Sequence, residues 1–436
     1  MDITAEERTH ARNLLEFIDA SPSPWHAGAT LASRLEAAGF SPLDERDAWS
    51  LQAEGQHYVI RGASSLIAFR VGRSRPAAAG FRIIGAHTDS PGLRLKPKGA
   101  HGTDGLLRLG VEVYGGPILA TFTDRDLGLA GRLCVRTPTG IDTRLIRFDG
   151  PMARLPNLAI HMNRKVNEDG LKLNKQTELP LILGNLPANT PSAADALLNL
   201  LAVRADCRPE DLISFELNVH DTQPGAFWGL DGEFIADSQI DNLSSCHAGL
   251  TALLAAQPAA STTVCAFFDH EEIGSESCKG ADGSFLSDVL ERISVSLAEQ
   301  REDYRRALAR SELISADAAH AYHPNFPGAY EPLHGIRVNG GPAVKVNVNQ
   351  RYATDGPGEA RFIQLCRDAG VPCQTYVHRT DLGCGSTIGP MTAARLGIPT
   401  IDCGVPMWAM HSARESAGVA DQLAFTRVLT RFLEGD

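Results

Sequence analysis

The sequence lacks several features that mark particular classes of protein. No stretch of its 436 residues approaches the roughly 20 consecutive apolar residues that span a bilayer, and the polar segment MDITAEERTHAR has no apolar core of the kind found in signal peptides. The nine cysteines are scattered and form no C-x-x-C pair, which argues against a disulfide framework and against a cysteine-type zinc site. We therefore expect a cytoplasmic protein with no membrane partner.

Positive charge is also scarce. The 41 Lys and Arg residues are outnumbered by 52 Asp and Glu residues, which leaves a net charge of −11. An acidic chain without a basic block is a poor candidate for binding nucleic acid or an anionic membrane. What is present is an ordinary globular composition, with 43% hydrophobic residues and a length that corresponds to roughly two to three domains.

The hydrophobic pattern indicates two kinds of structure along the chain. The first 92 residues begin with a capping-box signal at Thr4 and Glu7 and continue with two predicted helices and three predicted strands. The segment 93–238 alternates polar and apolar residues around a hairpin signal, so we interpret it as a separate β-rich unit. Beyond it, helices alternate with short apolar strands, which predicts an α/β sheet covered on both faces.

Acidic and histidine side chains follow five of the predicted strands. They occur in His87-Thr-Asp89, Asp269-His-Glu-Glu272, Asp317, His378-Arg-Thr-Asp381 and Met410-His411. Because ligands of open α/β sheets bind outside the carboxyl ends of the strands, we expect these segments to form one site. Adjacent carboxylates such as Glu271 and Glu272 repel each other unless their tasks differ, for example one binding a cation and one acting as a general base.

Four of these residues, together with Asp241, form a mixed set of nitrogen and oxygen ligands. They are His87, Asp241, Glu272, Asp317 and His411. This mixture suits zinc, manganese or cobalt better than calcium, and five ligands fit a pair of ions if one carboxylate bridges them. Structural alternatives remain open, because Asp241 and Asp317 can each cap a following helix and His411 can be an ordinary turn histidine.

A series of longer motifs runs in order along nearly the whole chain. They are His87-Thr-Asp-Ser-Pro-Gly-Leu-Arg-Leu-Lys-Pro-Lys, Leu158-Ala-Ile-His-Met-Asn-Arg, Gln239-Ile-Asp-Asn-Leu, Asp269-His-Glu-Glu-Ile-Gly-Ser, Ser315-Ala-Asp-Ala-Ala-His, Asn349-Gln-Arg-Tyr-Ala-Thr, Cys384-Gly-Ser-Thr-Ile-Gly-Pro and Met410-His-Ser-Ala-Arg-Glu. Together they resemble the motifs of the aspartyl aminopeptidases, a family of dinuclear-zinc enzymes. Two positions depart from the family pattern: Phe122 stands where Trp is expected, and Asp355 where Asn is common.

This resemblance implies a fold and an assembly. The expected fold is α/β, with a mixed-sheet catalytic domain of the dinuclear-zinc aminopeptidase kind formed by 1–92 and 239–436. An inserted β-rich dimerisation domain is expected at 93–238. The expected assembly is a homo-oligomer built from dimers, a dodecamer whose active sites face an interior chamber.

The resemblance also implies roles for individual residues. One divalent ion, zinc or else manganese or cobalt, is expected at His87, Asp241 and Asp317, and a second at Asp241, Glu272 and His411, with Asp241 bridging. Glu271 is the expected general base, and Asp89 is the expected acid that orients a ligand. The expected substrate contacts are His161, which the family inserts into the active site of the neighbouring subunit, and His320, Lys345 and Tyr352.

The implied reaction is the hydrolytic removal of an N-terminal Asp or Glu from a peptide with a free α-amine. Because the net charge of the protein repels an acidic substrate at long range, attraction must come from nearby cations, for which Lys345 and His320 are the candidates. One rival function is another dinuclear-metal amide hydrolase, such as a carboxypeptidase or deacylase. The other is a non-catalytic shell on an inactive peptidase fold, which the presence of Glu271 and of every expected ligand opposes.

Overall fold

The computed structural model describes residues 2–435. The helices are α1 (Ala5–Asp19), α2 (Pro24–Ala37), α3 (Pro76–Ala79), α4 (Val166–Asp169), α5 (Ala193–Arg204), α6 (Ile240–Ala255), α7 (Phe285–Ser296), α8 (Arg301–Ala309), α9 (Gly356–Asp368), α10 (Ile388–Leu396) and α11 (Val419–Glu434). Within this range no helix is both long and apolar enough to cross a bilayer.

The strands are β1 (Ser41–Leu43), β2 (Gln56–Arg61), β3 (Ser65–Arg70), β4 (Phe81–His87), β5 (Gly92–Thr103), β6 (Leu106–Tyr114), β7 (Leu127–Thr137), β8 (Gly140–Arg147), β9 (Leu181–Asn185), β10 (Leu212–Asp221), β11 (Ala226–Trp228), β12 (Phe234–Asp237), β13 (Thr262–Phe268), β14 (Glu312–Ala316), β15 (Ala319–His320), β16 (Ala343–Val346), β17 (Gln374–Val377), β18 (Thr400–Gly404), β19 (Pro406–Trp408) and β20 (Glu415–Gly418).

A nine-stranded mixed sheet has the strand order β1-β2-β3-β13-β4-β14-β18-β16-β17. Strands from the beginning of the chain, β1 to β4, therefore share one sheet with strands that lie beyond residue 261. β13 and β14 both pair with β4 in parallel, and β18 continues this parallel group beside β14. Because parallel strands point the same way, their carboxyl ends meet at one edge of the sheet.

Helices cover both faces of this sheet. Ile84 packs in one core with α1, α2, α6, α9 and α11, whereas its neighbour Ile83 packs in the opposite core with α7, α8 and α10. Successive side chains of a strand point to opposite faces, so a continuously apolar strand such as β4 indicates a sheet buried on both sides. The predicted mixed-sheet α/β class is confirmed.

The strands between Gly92 and Asp221 form a second, antiparallel sheet of order β8-β7-β10-β5-β6-β9. Its core includes Leu129 of β7 and Leu201 of α5. The hairpin signal is confirmed, because β7 and β8 pair antiparallel with Thr137 opposite Gly140. The remaining five strands form a third sheet, of order β11-β12-β20-β19-β15.

Candidate metal and catalytic site

The predicted ligands converge at the carboxyl edge of the nine-stranded sheet. β4 ends at His87, and the parallel neighbour β13 places Phe268 opposite it, so Glu272 follows a few residues beyond. On the other side of β4, β14 leads directly to Asp317. Asp241, at the beginning of α6, completes this group.

His87 is buried and faces three carboxylates. Its Nε2 lies 3.5 Å from Asp241 Oδ1, 3.8 Å from Asp317 Oδ1 and 3.9 Å from Glu271 Oε2. Its Nδ1 lies 3.0 Å from the backbone carbonyl oxygen of Asp89, to which an Nδ1–H donates. That tautomer leaves the Nε2 lone pair free to bind a metal.

His411 repeats this arrangement on the other side of Asp241. Its Nε2 lies 3.4 Å from Asp241 Oδ2 and 3.4 Å from Glu272 Oε2. Its Nδ1 is 3.1 Å from the carbonyl oxygen of Gly116, which again orients Nε2 toward the carboxylates. The two carboxylate oxygens of Asp241 thus face one histidine each.

The donor set fits divalent ions of the zinc class. Ligand atoms of His87, Asp241 and Glu272 all lie within 4.8 Å of one another. Asp241 Oδ1 is buried and accepts no hydrogen bond from any residue between 2 and 435. Burial and the nearby Asp241 raise the pKa of Glu272 well above its ordinary value. Bound cations would compensate these crowded, desolvated carboxylates, and nitrogen with oxygen is a ligand mixture that zinc accepts.

Both helix-capping alternatives are wrong. Asp241 lies at a break near the start of α6, where its φ of −80° and ψ of 108° are non-helical. Its Oδ1 accepts no hydrogen bond within residues 2–435, and its Oδ2 faces His411. Asp317 precedes the short strand β15 instead of a helix. Neither carboxylate therefore caps a helix.

Asp89 holds the loop that carries the two adjacent glutamates. Its buried carboxylate accepts the backbone N–H of Glu271 through Oδ1 and that of Glu272 through Oδ2, each at 3.1 Å. Oδ1 also lies 3.5 Å from His87 Nδ1. Although burial favours the neutral acid, the nearby His87 and the hydrogen bond from Tyr114 lower the pKa of Asp89. An ionised Asp89 can accept all of these hydrogen bonds at once.

Glu271 lies beside the ligands with its carboxylate 3.9 Å from His87. Burial, only partly offset by His87, raises the pKa of Glu271 to about 8, and Asp317 adds to the rise. A carboxylate whose pKa lies near the working pH can take up and release a proton, as a general base must.

Comparison with known proteins identifies the family of this chain. Residues 17–433 match the family described as Aminopeptidase I zinc metalloprotease (M18). The chain belongs to the M18 aminopeptidase family. It is a zinc-metalloprotease-type hydrolase, and the resemblance described from the sequence is confirmed at the level of the family.

Relatives of this M18 aminopeptidase match over nearly their whole length. A probable M18 family aminopeptidase 2 from Pseudomonas paraeruginosa (strain DSM 24068 / PA7) is 48% identical over 422 residues, 97% of each chain. Among solved structures, the cryo-EM structure of the Ape4 and Nbr1 complex has a TM-score of 0.96 at 36% identity, covering 100% of this chain and 88% of that one. The mApe1 dodecamer of S. cerevisiae has a TM-score of 0.86 at 28% identity, covering 99% and 98%.

Three of the predicted substrate contacts of the M18 enzyme lie next to Asp317. The buried Lys345 donates from Nζ to Asp317 Oδ2 and to the carbonyl oxygen of Ala318, both at 3.2 Å. Its Nζ also lies 5.0 Å from the ring centre of Tyr352. Burial, with Lys345 nearby, lowers the pKa of His320 to about 4, so this ring is neutral at pH 7 and does not supply the positive charge expected of it.

The fourth predicted contact, His161, lies elsewhere in the chain. It occupies an exposed turn between β8 and α4, and its ring makes no hydrogen bond within residues 2–435. Asp269 and Asp381, members of the strand-end clusters, also lie outside the site. Asp269 pairs with the buried Lys279 at 2.7 Å, and the exposed Asp381 pairs with Arg379.

Two residues that touch the site of the M18 enzyme are not among those predicted from the sequence. The Tyr114 hydroxyl, at the end of β6, donates to Asp89 Oδ2 at 2.7 Å. Glu415 accepts the backbone N–H groups of Asp241 and His411. Glu415 ends the motif that contains His411, which is a local signal, whereas nothing near Tyr114 in the sequence indicates its role.

Proposed function

We propose that this M18 aminopeptidase removes N-terminal Asp or Glu residues from peptides that have a free α-amine, with two divalent zinc-class ions per chain. Asp241 carries this proposal, because its Oδ1 faces His87 and its Oδ2 faces His411. A carboxylate placed between two histidines is suited to bridging a pair of ions.

The chain would divide its ligands between the two ions. His87 and Asp317 would hold one ion, Glu272 and His411 the other, and Asp241 both. Ions bound there supply Lewis-acid polarisation of the scissile carbonyl and a nucleophile at neutral pH.

Glu271 would then perform the proton transfers. Its carboxylate takes a proton from the attacking water and delivers it to the departing amine. The hydrogen bond from the Glu271 backbone N–H to the buried Asp89 holds this residue beside the ligands. A general base of this kind typically contributes about 10²–10⁴-fold to the rate.

Lys345 supports the acidic preference, because it is a fully buried cation that lies beside the predicted ligand Asp317. Burial opposes the charged form of Lys345, but Asp317 and Asp402 together raise the pKa of its amine, so Lys345 stays charged. An opposite charge about 4 Å from it gains roughly 1–4 kcal/mol, which corresponds to about a five- to thousandfold preference. Neutral His320 and Tyr352 border the same region and offer further hydrogen-bonding groups.

We also propose the domain division 1–92 with 239–436 for the catalytic domain and 93–238 for the inserted domain. A cytoplasmic homo-oligomer, a dodecamer as in the S. cerevisiae mApe1 structure, would bring the exposed His161 to the active site of a neighbouring subunit. Strands β5 to β10 form a sheet of their own, which supports an inserted unit over Gly92–Asp221. β11 and β12 instead belong to the third sheet, in which β12 pairs with β20 of the catalytic segment, so the strands favour a boundary before Ala226.

The decisive experiment measures hydrolysis of matched Asp-, Glu- and Leu-initiated peptides by the full chain loaded with zinc. Free and N-acetylated forms are compared, with and without a chelator. We expect chelator-sensitive cleavage of the free acidic peptides. Cleavage of acetylated peptides would instead support the amide-hydrolase rival, and absence of any turnover would support the non-catalytic shell. Elemental analysis should find two metal ions per chain; a single ion that Asp241→Ala leaves in place would contradict the dinuclear arrangement.

A further inference from the structure

Glu415 is a buried carboxylate that contacts two separate ligand segments. It is 1% exposed and lies at the start of β20. Its Oε2 accepts the backbone N–H of Asp241 at 2.9 Å, and its Oε1 accepts the backbone N–H of His411 at 2.6 Å. Glu415 thus binds the backbones of both Asp241 and His411, whose side chains approach each other to 3.4 Å.

We propose that Glu415 is a positioning residue that sets the spacing between Asp241 and His411 for metal binding. This inference rests on the ligand set proposed above. Because both backbones are attached to one rigid, planar carboxylate, neither ligand can shift without breaking a buried hydrogen bond. His411 needs such support, since its φ of 69° lies in the left-handed region that non-glycine residues rarely adopt.

The chemistry of the contact requires a carboxylate. Two N–H groups point at the two oxygens of Glu415, and both are satisfied only if both oxygens accept. A glutamine of the same shape has one oxygen and one NH2 group, so one backbone N–H would face another donor. Glu415→Gln should therefore displace either Asp241 or His411 while changing the side-chain volume very little.

Asp421 provides a matched control. It is also a fully buried carboxylate, and it accepts the backbone N–H groups of Asn339 at 2.6 Å and Gly341 at 2.8 Å. Neither of these two residues is a predicted ligand. Asp421→Asn thus makes the same chemical change in a buried carboxylate without touching Asp241 or His411.

The test is a zinc titration of the full-length chain against a competing chromophoric chelator. Loss of a group that orients metal ligands typically weakens metal binding by about 10–100-fold, and we expect this for Glu415→Gln. Excess zinc should restore most of its turnover. Asp421→Asn should bind zinc like the parent, although its thermal stability falls.

Asp241→Ala in the same titration separates the two proposals. If Asp241→Ala loses zinc and Glu415→Gln does not, the inference about Glu415 is wrong and the ligand set stands. If Asp241→Ala retains zinc, the ligand set itself is wrong. Equal weakening in Asp421→Asn would overturn the inference, because the effect would then be general. Glu415→Asp, which keeps both oxygens, is the second variant. If Asp421→Asn folds but both Glu415→Asp and Glu415→Gln fail to fold, Glu415 serves the fold and the inference fails.

Discussion

The hydroxyl of Tyr114 donates a 2.7 Å hydrogen bond to the buried carboxylate of Asp89. Tyr114 belongs to the six-stranded sheet, whereas Asp89 follows β4 of the nine-stranded sheet. Since Asp89 also accepts the backbone N–H groups of Glu271 and Glu272, a side chain from one sheet helps to fix the loop of the other that carries these two glutamates. Burial and the charge of Asp89 raise the pKa of Tyr114 far above 10, so it remains a donor.

Tyr114→Phe should lower kcat by about tenfold, because the buried Asp89 loses one donor and holds the loop less firmly. Steady-state kinetics at saturating zinc measure this. Tyr58→Phe is the matched control, since the Tyr58 hydroxyl also donates to a carboxylate, that of Glu36, at 2.5 Å. An unchanged kcat in Tyr114→Phe would show that the contact between the sheets does not affect catalysis.

Glu271→Gln should retain the fold and the bound zinc but lose about 10²–10⁴-fold in turnover, because the amide cannot take up the proton. Rates and zinc content are measured on the same preparation. The control is Glu276→Gln, an exposed residue of the same loop. Near-normal turnover in Glu271→Gln would assign the general base to another group.

Lys345→Met should reduce the preference for Asp-initiated over Leu-initiated peptides by about fivefold or more in kcat/KM, because the buried cation is lost. Zinc content is measured in parallel, since Lys345 also donates to Asp317. Lys279→Met, which removes another buried lysine paired with a carboxylate, Asp269, should leave the preference unchanged. A constant ratio in Lys345→Met would refute its assignment.

His161→Ala should lower turnover without changing zinc content or oligomer size, if its exposed turn reaches a neighbouring subunit. Co-expression with Glu271→Gln chains should restore part of the activity, because a mixed interface pairs an intact Glu271 with an intact His161. If both parent variants are inactive and their mixed oligomers recover no activity, His161 acts within its own subunit.

A histidine far from the site should make folding stability depend on pH. Burial lowers the pKa of His10 from 6.5 to about 4, against smaller opposing effects of the Gln422 backbone and Glu6. Between these pH values the unfolded chain binds the proton and the folded chain does not, so stability is lost as the pH falls from about 6.5 to about 4. The maximal slope from one such group is about 1.4 kcal/mol per pH unit.

Replacing His10 should therefore flatten the acid side of the stability curve. Denaturant unfolding at several pH values should show a smaller decline for His10→Gln than for the parent chain. His101→Gln, at an exposed position of β5, should leave the curve unchanged. The same pH slope in both variants would exclude His10 as a source of acid sensitivity.

The local elements of the fold could be predicted from the sequence because they depend on near neighbours. The capping box is such a case: Thr4 and Glu7 lie three residues apart, and each accepts the backbone N–H of the other, at 2.7 Å and 3.2 Å. β13 is one of the expected short apolar strands: it is buried along its whole length and ends at the polar segment that begins with Asp269. The placement of polar residues after strands likewise indicated where a site would form.

By itself, then, the sequence determined the α/β class, several of the helices and strands and, through its motifs, the family. Only the tertiary structure decided how the side chains of the site are used. Tyr114 meets Asp89 across 25 residues of chain, and Glu415 meets Asp241 across 174. Such contacts depend on strand order and on how the two sheets lie against each other, and hydrophobic periodicity carries no information about either. Likewise, whether Asp241 caps a helix or faces two histidines depends on its backbone conformation and burial, which the packing of distant segments decides.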